Sequence, residues 1–265
     1  MKFVYILFAF QFVFAMKSHS QNAYSLYEKI AAKRMTNLLF QSDYALQGNK
    51  MVLVDTLVYV FNNDYKITSM KDGMSTGFPI KEFFYNDEKK LSKIQHNAKG
   101  IIFYETFIYQ LGKLVSLKRL DNDNNVLNSV SFGYDKFGRT EKKSSSTGNY
   151  ASRYFYYDSN LVKVEVTNTS KVKKVIEYAY DTDGRMISER IYESYKKGKL
   201  GKRYLKLKID YKYDDFANLI EKIYFPSENS KERIVYSYDE LGNIYEWSKF
   251  DTGGQVVYIS RISYN

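Results

Sequence analysis

The feature that most constrains this chain is an alternating pair of aromatic residues followed by an acidic turn that glycine closes. In "YAYDTDGRMISE", residues 178–189, Ile176, Tyr178 and Tyr180 fall on one face of an extended chain, and Glu177 and Ala179 on the other. β-Branched and aromatic residues of this kind favour strands. Asp181 can accept backbone N–H bonds at the first position of a type I turn, and Gly184 supplies the positive φ that closes it. Arg185 to Ile191 then returns as the second strand of a β-hairpin.

The unit recurs. "VSFGYDKFGRTEK" is centred on Tyr134, "RYFYYDSNLVKVE" on Tyr157, "IDYKYDDFANLIEK" on Tyr213 and "IVYSYDELGNIYEW" on Tyr238, with weaker copies at Phe61, Tyr85 and Tyr109. The anchors 61, 85, 109, 134, 157, 180, 213 and 238 are spaced by 24, 24, 25, 23, 23, 33 and 25 residues. The one long interval contains "SYKKGKLGKR". A period this regular marks a repeat architecture. Asp135, Gly138, Asp181, Gly184, Asp214, Asp239 and Gly242 are therefore turn residues. Ala217 stands where glycine is expected, so Asn218 is the residue expected to take the left-handed position.

Tyr134-Asp135…Gly138-Arg139, Tyr180-Asp181…Gly184-Arg185 and Tyr238-Asp239…Gly242-Asn243 resemble the YD repeats of bacterial RHS proteins, strongly from residue 130 onward and weakly from 51. The resemblance implies an exported array of hairpins. In that family long arrays coil into a shell around a C-terminal toxin. This array is short and has no downstream domain, so the toxin-carrier role is not implied.

Lys2, the apolar run Phe3–Ala15 and the small residues around Ser18 and Ser20 have the layout of a secretory signal peptide over residues 1–20. The apolar run is too short for a bilayer-spanning helix, which needs roughly 20 residues. Export to the periplasm or outside the cell is expected. The chain has no cysteine, so its stability must come from packing and hydrogen bonding. Without Lys2 and Lys17 the 40 basic residues become 38 against 30 acidic, a net charge of +8. That balance favours an anionic polysaccharide or a cell-envelope protein as partner and, for an exported chain, not nucleic acid.

Residues 23–40 place Leu26, Ile30, Ala31, Met35, Leu38 and Leu39 at helical spacing. The segment 21–50 reads as a helical cap over the open edge of a repeat domain at 51–265. Eight hairpins imply about sixteen strands. The expected fold is all-β, an antiparallel meander forming a curled, open repeat sheet with one N-terminal helix. A four-bladed propeller and an outer-membrane barrel compete with it. Segments such as "KLGKRYLKLKIDYKYDD" are too charged for a lipid-facing band.

Chemistry-bearing constellations are scarce. His96 reads as a loop residue, and "DTDG" and "DNDNN" read as turns rather than calcium loops. Neither a phosphate loop, a nucleophile elbow nor zinc-ligand spacing is present, so no cofactor, metal or enzymatic activity is expected. Binding candidates are Trp247 with Tyr245, taken to share one strand face, and the basic insertion Lys196, Lys197, Lys199, Lys202 and Arg203. The polar loop 142–153 is a third. The expected function is non-enzymatic presentation of an aromatic and basic surface, most simply to an envelope or extracellular glycan. The alternative is a structural or protein-interaction component of RHS-type toxin delivery.

Overall fold

The computed structural model describes residues 20–73, 79–98, 100–147, 150–168, 171–194, 203–227 and 230–264. The expected signal segment lies outside them except for Ser20. A helix, α1 (Ser20–Arg34), is followed by β1 (Leu38–Gln47), β2 (Lys50–Phe61), β3 (Ile67–Asp72), β4 (Lys81–Tyr85), β5 (Leu91–Ala98) and β6 (Ile101–Gln110). Next come β7 (Lys113–Leu120), β8 (Val126–Tyr134), β9 (Thr140–Ser145), β10 (Tyr150–Tyr157), β11 (Asn160–Asn168) and β12 (Lys171–Tyr180). The last six are β13 (Met186–Ser194), β14 (Arg203–Tyr213), β15 (Leu219–Ser227), β16 (Ser230–Tyr238), β17 (Ile244–Phe250) and β18 (Val256–Tyr264).

Each strand pairs antiparallel with the next, and the sheet closes on itself. β18 pairs with β1 from Leu39↔Tyr264 to Ala45↔Tyr258, while the other side of β1 pairs with β2. No edge is left open. The fold is a closed, 18-stranded up-and-down barrel, which corrects the expected open, curled sheet of about sixteen strands. The physical reason lies at the two ends of the repeat array. α1 stops at Arg34, and Met35 turns the chain with φ 52°. Leu38 and Leu39, which matched helical spacing, instead begin β1. β1 and β18 satisfy each other's backbone groups, so the helix has no edge to cover.

Because the strands alternate in direction, all eight repeat turns, from 62–66 to 239–243, lie on one rim together with the start of β1 and the end of β18. This is the near rim. Every near-rim hairpin carries a register shift one or two pairs from its turn, one pair at Ala179/Tyr180 and Lys212/Tyr213 and two at Ile108/Tyr109. Such a bulge sharpens the strand twist that closure requires. In the fifth unit the shift falls at Phe155/Tyr156, so Tyr156 is the anchor, whereas Tyr157 is 73% exposed. Ala217, not Asn218, takes the left-handed position, with φ 63°.

Strand alternation divides the wall into an inward set, such as Ile176, Tyr178 and Tyr180, and an outward set, such as Glu177 and Ala179. α1 lies against the inward face, where Ile30 and Ala31 pack with Leu39, Phe61, Ile67, Phe83 and Ile94. Tyr27 stacks on Tyr59 at 4.4 Å. Glu28 accepts from Lys66 Nζ at 2.9 Å and from the Tyr85 hydroxyl at 3.0 Å, while Arg34 reaches Asp239 at 2.6 Å. These contacts run from β3 and β4 to the β16–β17 turn, so the helix spans the β18–β1 junction from inside. A barrel of this strand count is wide enough to hold water.

The turns give a direct test of backbone strain. Ala217→Gly should stabilise the fold by about 0.5–1 kcal/mol, because an L-residue is strained at positive φ. Gly184→Ala should cost about 1 kcal/mol or more by the same argument, since nothing lies within 4 Å of the added Cβ and the effect is purely conformational. Urea unfolding of the two variants beside the parent measures both shifts.

Candidate functional site

The near rim is built from one repeated device. Asp181 Oδ1 accepts from the backbone N–H groups of Asp183 and Arg185, and Asp135, Asp214 and Asp239 do the same in their turns. Gly138, Gly184 and Gly242 close three of these turns at φ 72–82°. The anchor tyrosine then donates its hydroxyl to a backbone carbonyl of the neighbouring strand. Tyr180 bonds the Leu161 carbonyl at 2.7 Å, Tyr213 that of Met186 at 2.8 Å and Tyr238 that of Leu219 at 2.7 Å. Tyr85, Tyr109, Tyr134 and Tyr156 make the matching bonds to Ile67, Leu91, Leu114 and Thr140. Tyr264 closes the series on Asp239 at 2.6 Å.

Two residues before each anchor, the side chain points further into the lumen. This position is Phe83, Phe107 and Phe132 in the units ending at Tyr85, Tyr109 and Tyr134. In the later units it is Tyr154, Tyr178, Tyr211 and Tyr236. Phe83 and Phe107 are buried in the core that includes the helix. The tyrosines face the part of the lumen that the helix does not cover.

There they form a continuous belt. Tyr178 is opposite Glu189, which accepts the Tyr211 hydroxyl at 3.1 Å. Tyr211 is opposite Lys222, whose ammonium lies 5.6 Å from the Tyr211 ring and 5.7 Å from the Tyr236 ring. Tyr236 is opposite Trp247, which stacks on Tyr258 at 5.0 Å. Burial pushes the Tyr178, Tyr211 and Tyr236 hydroxyls well above the usual phenol range and Lys222 down. The belt tyrosines are therefore neutral hydrogen-bonding groups at any physiological pH.

The structure separates several residues that the sequence suggested together. Trp247 lies on the inward face, whereas Tyr245 falls in the bulge between Ile244 and Glu246 and is 43% exposed. Trp247 is instead joined to Tyr236 and Tyr258. Lys196, Lys197, Lys199 and Lys202 lie outside the described residues. Arg203 is exposed at the start of β14, opposite Ser194. His96 is not in a loop. It sits on β5, stacked on Phe103 at 4.3 Å with Nε2 3.5 Å from Glu105. Asp121 makes the same paired N–H turn as the near-rim aspartates. A shallow recess at the far rim, lined by Gly100, Ile101, Asp121 and Asp123, gathers no convergent chemistry. Glu189, Tyr211 and Lys222 were missed, although the Tyr-x-Tyr doublets marked the position beside them.

The outer wall is unlike the inner one. Outward side chains form a charge ladder over β11–β18. Lys163 pairs with Glu165 at 3.0 Å, Lys208 with Asp210 at 2.7 Å, and Arg261 with Glu246 at 2.8 Å. Glu221 takes both Lys212 and Arg233. The aromatic residues between them are capped by cations, as Lys163 caps Phe155 and Arg233 caps Phe250, both at 4.1 Å. No helix among the described residues is long and apolar enough to cross a membrane.

No family model and no curated protein matches the chain. Among solved structures it is similar to a porin-like protein from Bacteroides uniformis, at 10% identity and a TM-score of 0.46, covering 87% of this chain and 96% of that one. A porin-like protein from Bacteroides vulgatus gives 9%, a TM-score of 0.26, and coverage of 84% and 97%. A Bacteroides fragilis protein of unknown function gives 12%, 0.23, and coverage of 63% and 94%. Likeness at this level carries no argument about function, and the barrel rests on its own strand pairing. YD-repeat membership is corrected as well. No family model supports it, and the Tyr-Asp-x-x-Gly pattern is accounted for by the near-rim hairpins of a closed barrel.

The turns make acid sensitivity predictable. Desolvation raises the Asp135, Asp181 and Asp239 carboxyls, but backbone N–H donors with Arg139, Arg185 and Arg34 outweigh it and hold all three below the usual range. Asn218, with backbone donors, does the same for Asp214. A depressed folded-state value stabilises above the unfolded value of about 3.9 and is lost as pH falls through the folded value. Urea midpoints should thus be flat above about pH 5 and fall steeply below about pH 4. Asn62 fills the same turn position with bonds to the Asp64 and Lys66 N–H groups. Joint Asp135→Asn, Asp181→Asn and Asp214→Asn substitution should therefore preserve the fold and flatten the acid limb.

Proposed function

We propose that this is a non-enzymatic exported protein, a barrel standing in water in the periplasm or outside the cell, that binds an envelope or extracellular glycan on its lumenal wall. The carrying observation is the contrast between the two walls. A Lys or Arg facing lipid at the bilayer midplane costs about 2–4 kcal/mol in a β-barrel. Lys163, Lys208, Lys212, Arg233 and Arg261 face outward on β11, β14, β16 and β18, so that arc suits water. The aromatic and polar belt then lies on the sheltered side, where ring faces with hydrogen-bonding tips suit sugars. The pattern of residues 1–20 supports export. The belt offers rings, one carboxylate and one ammonium, and no nucleophile–base pair, which favours binding over catalysis.

The chain from Gln21 onward should remain soluble and monodisperse without detergent, give no conductance in planar bilayers, and release saturable heat on titration with at least one glycan of a polysaccharide panel. A requirement for detergent together with stepwise ion conductance would place the barrel in a membrane and overturn the reading.

A further inference from the structure

We infer that the belt Tyr178–Glu189–Tyr211–Lys222–Tyr236–Trp247 is the binding site and that its ligand is a neutral oligosaccharide chain; this rests on the glycan-binding reading above. The argument begins with the two classes of tyrosine. At the near rim seven anchor hydroxyls are each committed to a backbone carbonyl. Two residues earlier, Tyr178 and Tyr236 are deeply set in the inward wall, and their hydroxyls meet no protein hydrogen-bond partner among the described residues. A half-buried hydroxyl without a protein partner must be satisfied by water or by a ligand. If structure alone were served, phenylalanine would suffice, as it does at Phe83 and Phe107 where the helix covers the same position.

The belt crosses six strands at about 4.8 Å each, so it extends roughly 24 Å between its end strands, room for several pyranose rings in a row. It alternates ring faces with polar groups, as a chain of apolar sugar faces and hydroxyl edges requires. Its charges cancel, with Glu189 and Lys222 flanking Tyr211, and the Glu232–Lys249 pair beside it closes at 2.8 Å. A balanced site has no preference for an acidic polymer, so the basic character of the whole chain is not the binding determinant.

Trp247 is the only tryptophan of the chain and sits at one end of the belt, which makes it an internal reporter. The test titrates the chain from Gln21 onward with maltohexaose, cellohexaose and mannohexaose, and with polygalacturonate as the acidic comparison. Heat and Trp247 emission are followed at low and high salt. At least one neutral hexasaccharide should bind, shift the emission and keep its affinity in high salt. Tyr178→Phe with Tyr236→Phe should leave the melting temperature unchanged, because no protein bond is lost, and weaken that affinity roughly tenfold or more. Tyr180→Phe with Tyr238→Phe, which breaks two rim bonds, should do the reverse: a lower melting temperature with affinity retained.

Glycan binding that is undiminished in the Tyr178→Phe/Tyr236→Phe variant, or that leaves Trp247 emission unmoved, would overturn the belt and leave the broader reading standing. Binding confined to polygalacturonate and abolished by salt would overturn the neutral ligand. No heat with any glycan from a folded barrel would overturn both.

Discussion

An antiparallel sheet has two edges, and the unpaired backbone groups along them must be satisfied. Everything else in this protein follows from how that is done. The chain has no cysteine, so no disulfide ties its ends together. The first and last strands pair with each other over seven register positions, and α1 crosses their junction on the inner side. The middle of the helix is held by Glu28 to Lys66 and Tyr85, and its C-terminal end by Arg34 to Asp239. Closure creates an inside and an outside, and only then does alternation along a strand acquire chemical meaning.

The alternating tyrosines divide their work along that inside wall. The second tyrosine of each doublet is structural. It reaches a carbonyl beside the bulge of the neighbouring hairpin, and the bulge is the place where the regular ladder is interrupted. These bonds link successive rim turns into a continuous girdle. The first aromatic of each doublet is not needed for that purpose. Under the helix the position holds Tyr59, Phe83 and Phe107, and the Tyr59 hydroxyl donates to Gln41; beyond the helix it holds Phe132 and then Tyr154, Tyr178, Tyr211 and Tyr236. One repeat thus supplies both the rim bonds and the aromatic lining of the lumen.

Much of this was legible in the residues. The hairpin, its Asx-type turn and the inward tyrosine face follow from alternation and from the Asp and Gly spacing, and the structure has each of them. Closure was not legible, because a period of two strands reads the same in an open sheet and in a barrel. β1 was hidden by Leu38 and Leu39, which fit helical spacing as well as strand alternation. The β17–β18 hairpin turns at the far rim through "DTGG", so it has no anchor tyrosine at its turn to announce it. The turn after Tyr156 has two residues, as does the one after Tyr109, and the tyrosine at 157 beside it shifted the apparent anchor by one residue. Trp247 was visible as a singular residue, but the bulge at Tyr245 broke the alternation used to pair them. Glu189 and Lys222 gave no local signal, since they become neighbours of Tyr211 only through strand register.

The central claim is that the barrel is closed between its first and last strands, and the absence of cysteine allows a clean test. Ser42 on β1 and Arg261 on β18 face each other in register on the outer wall. Directly paired antiparallel positions hold Cα atoms about 4.5–5.5 Å apart, within disulfide range. The measurement is oxidation of the Ser42→Cys/Arg261→Cys variant at low protein concentration, read by mass and non-reducing gel mobility. A closed barrel predicts near-complete intramolecular disulfide formation in the native state, and the link should raise the unfolding midpoint. Two thiols that stay free in the folded protein, or that join only between molecules, would mean that β1 and β18 are separate edges and would contradict the account.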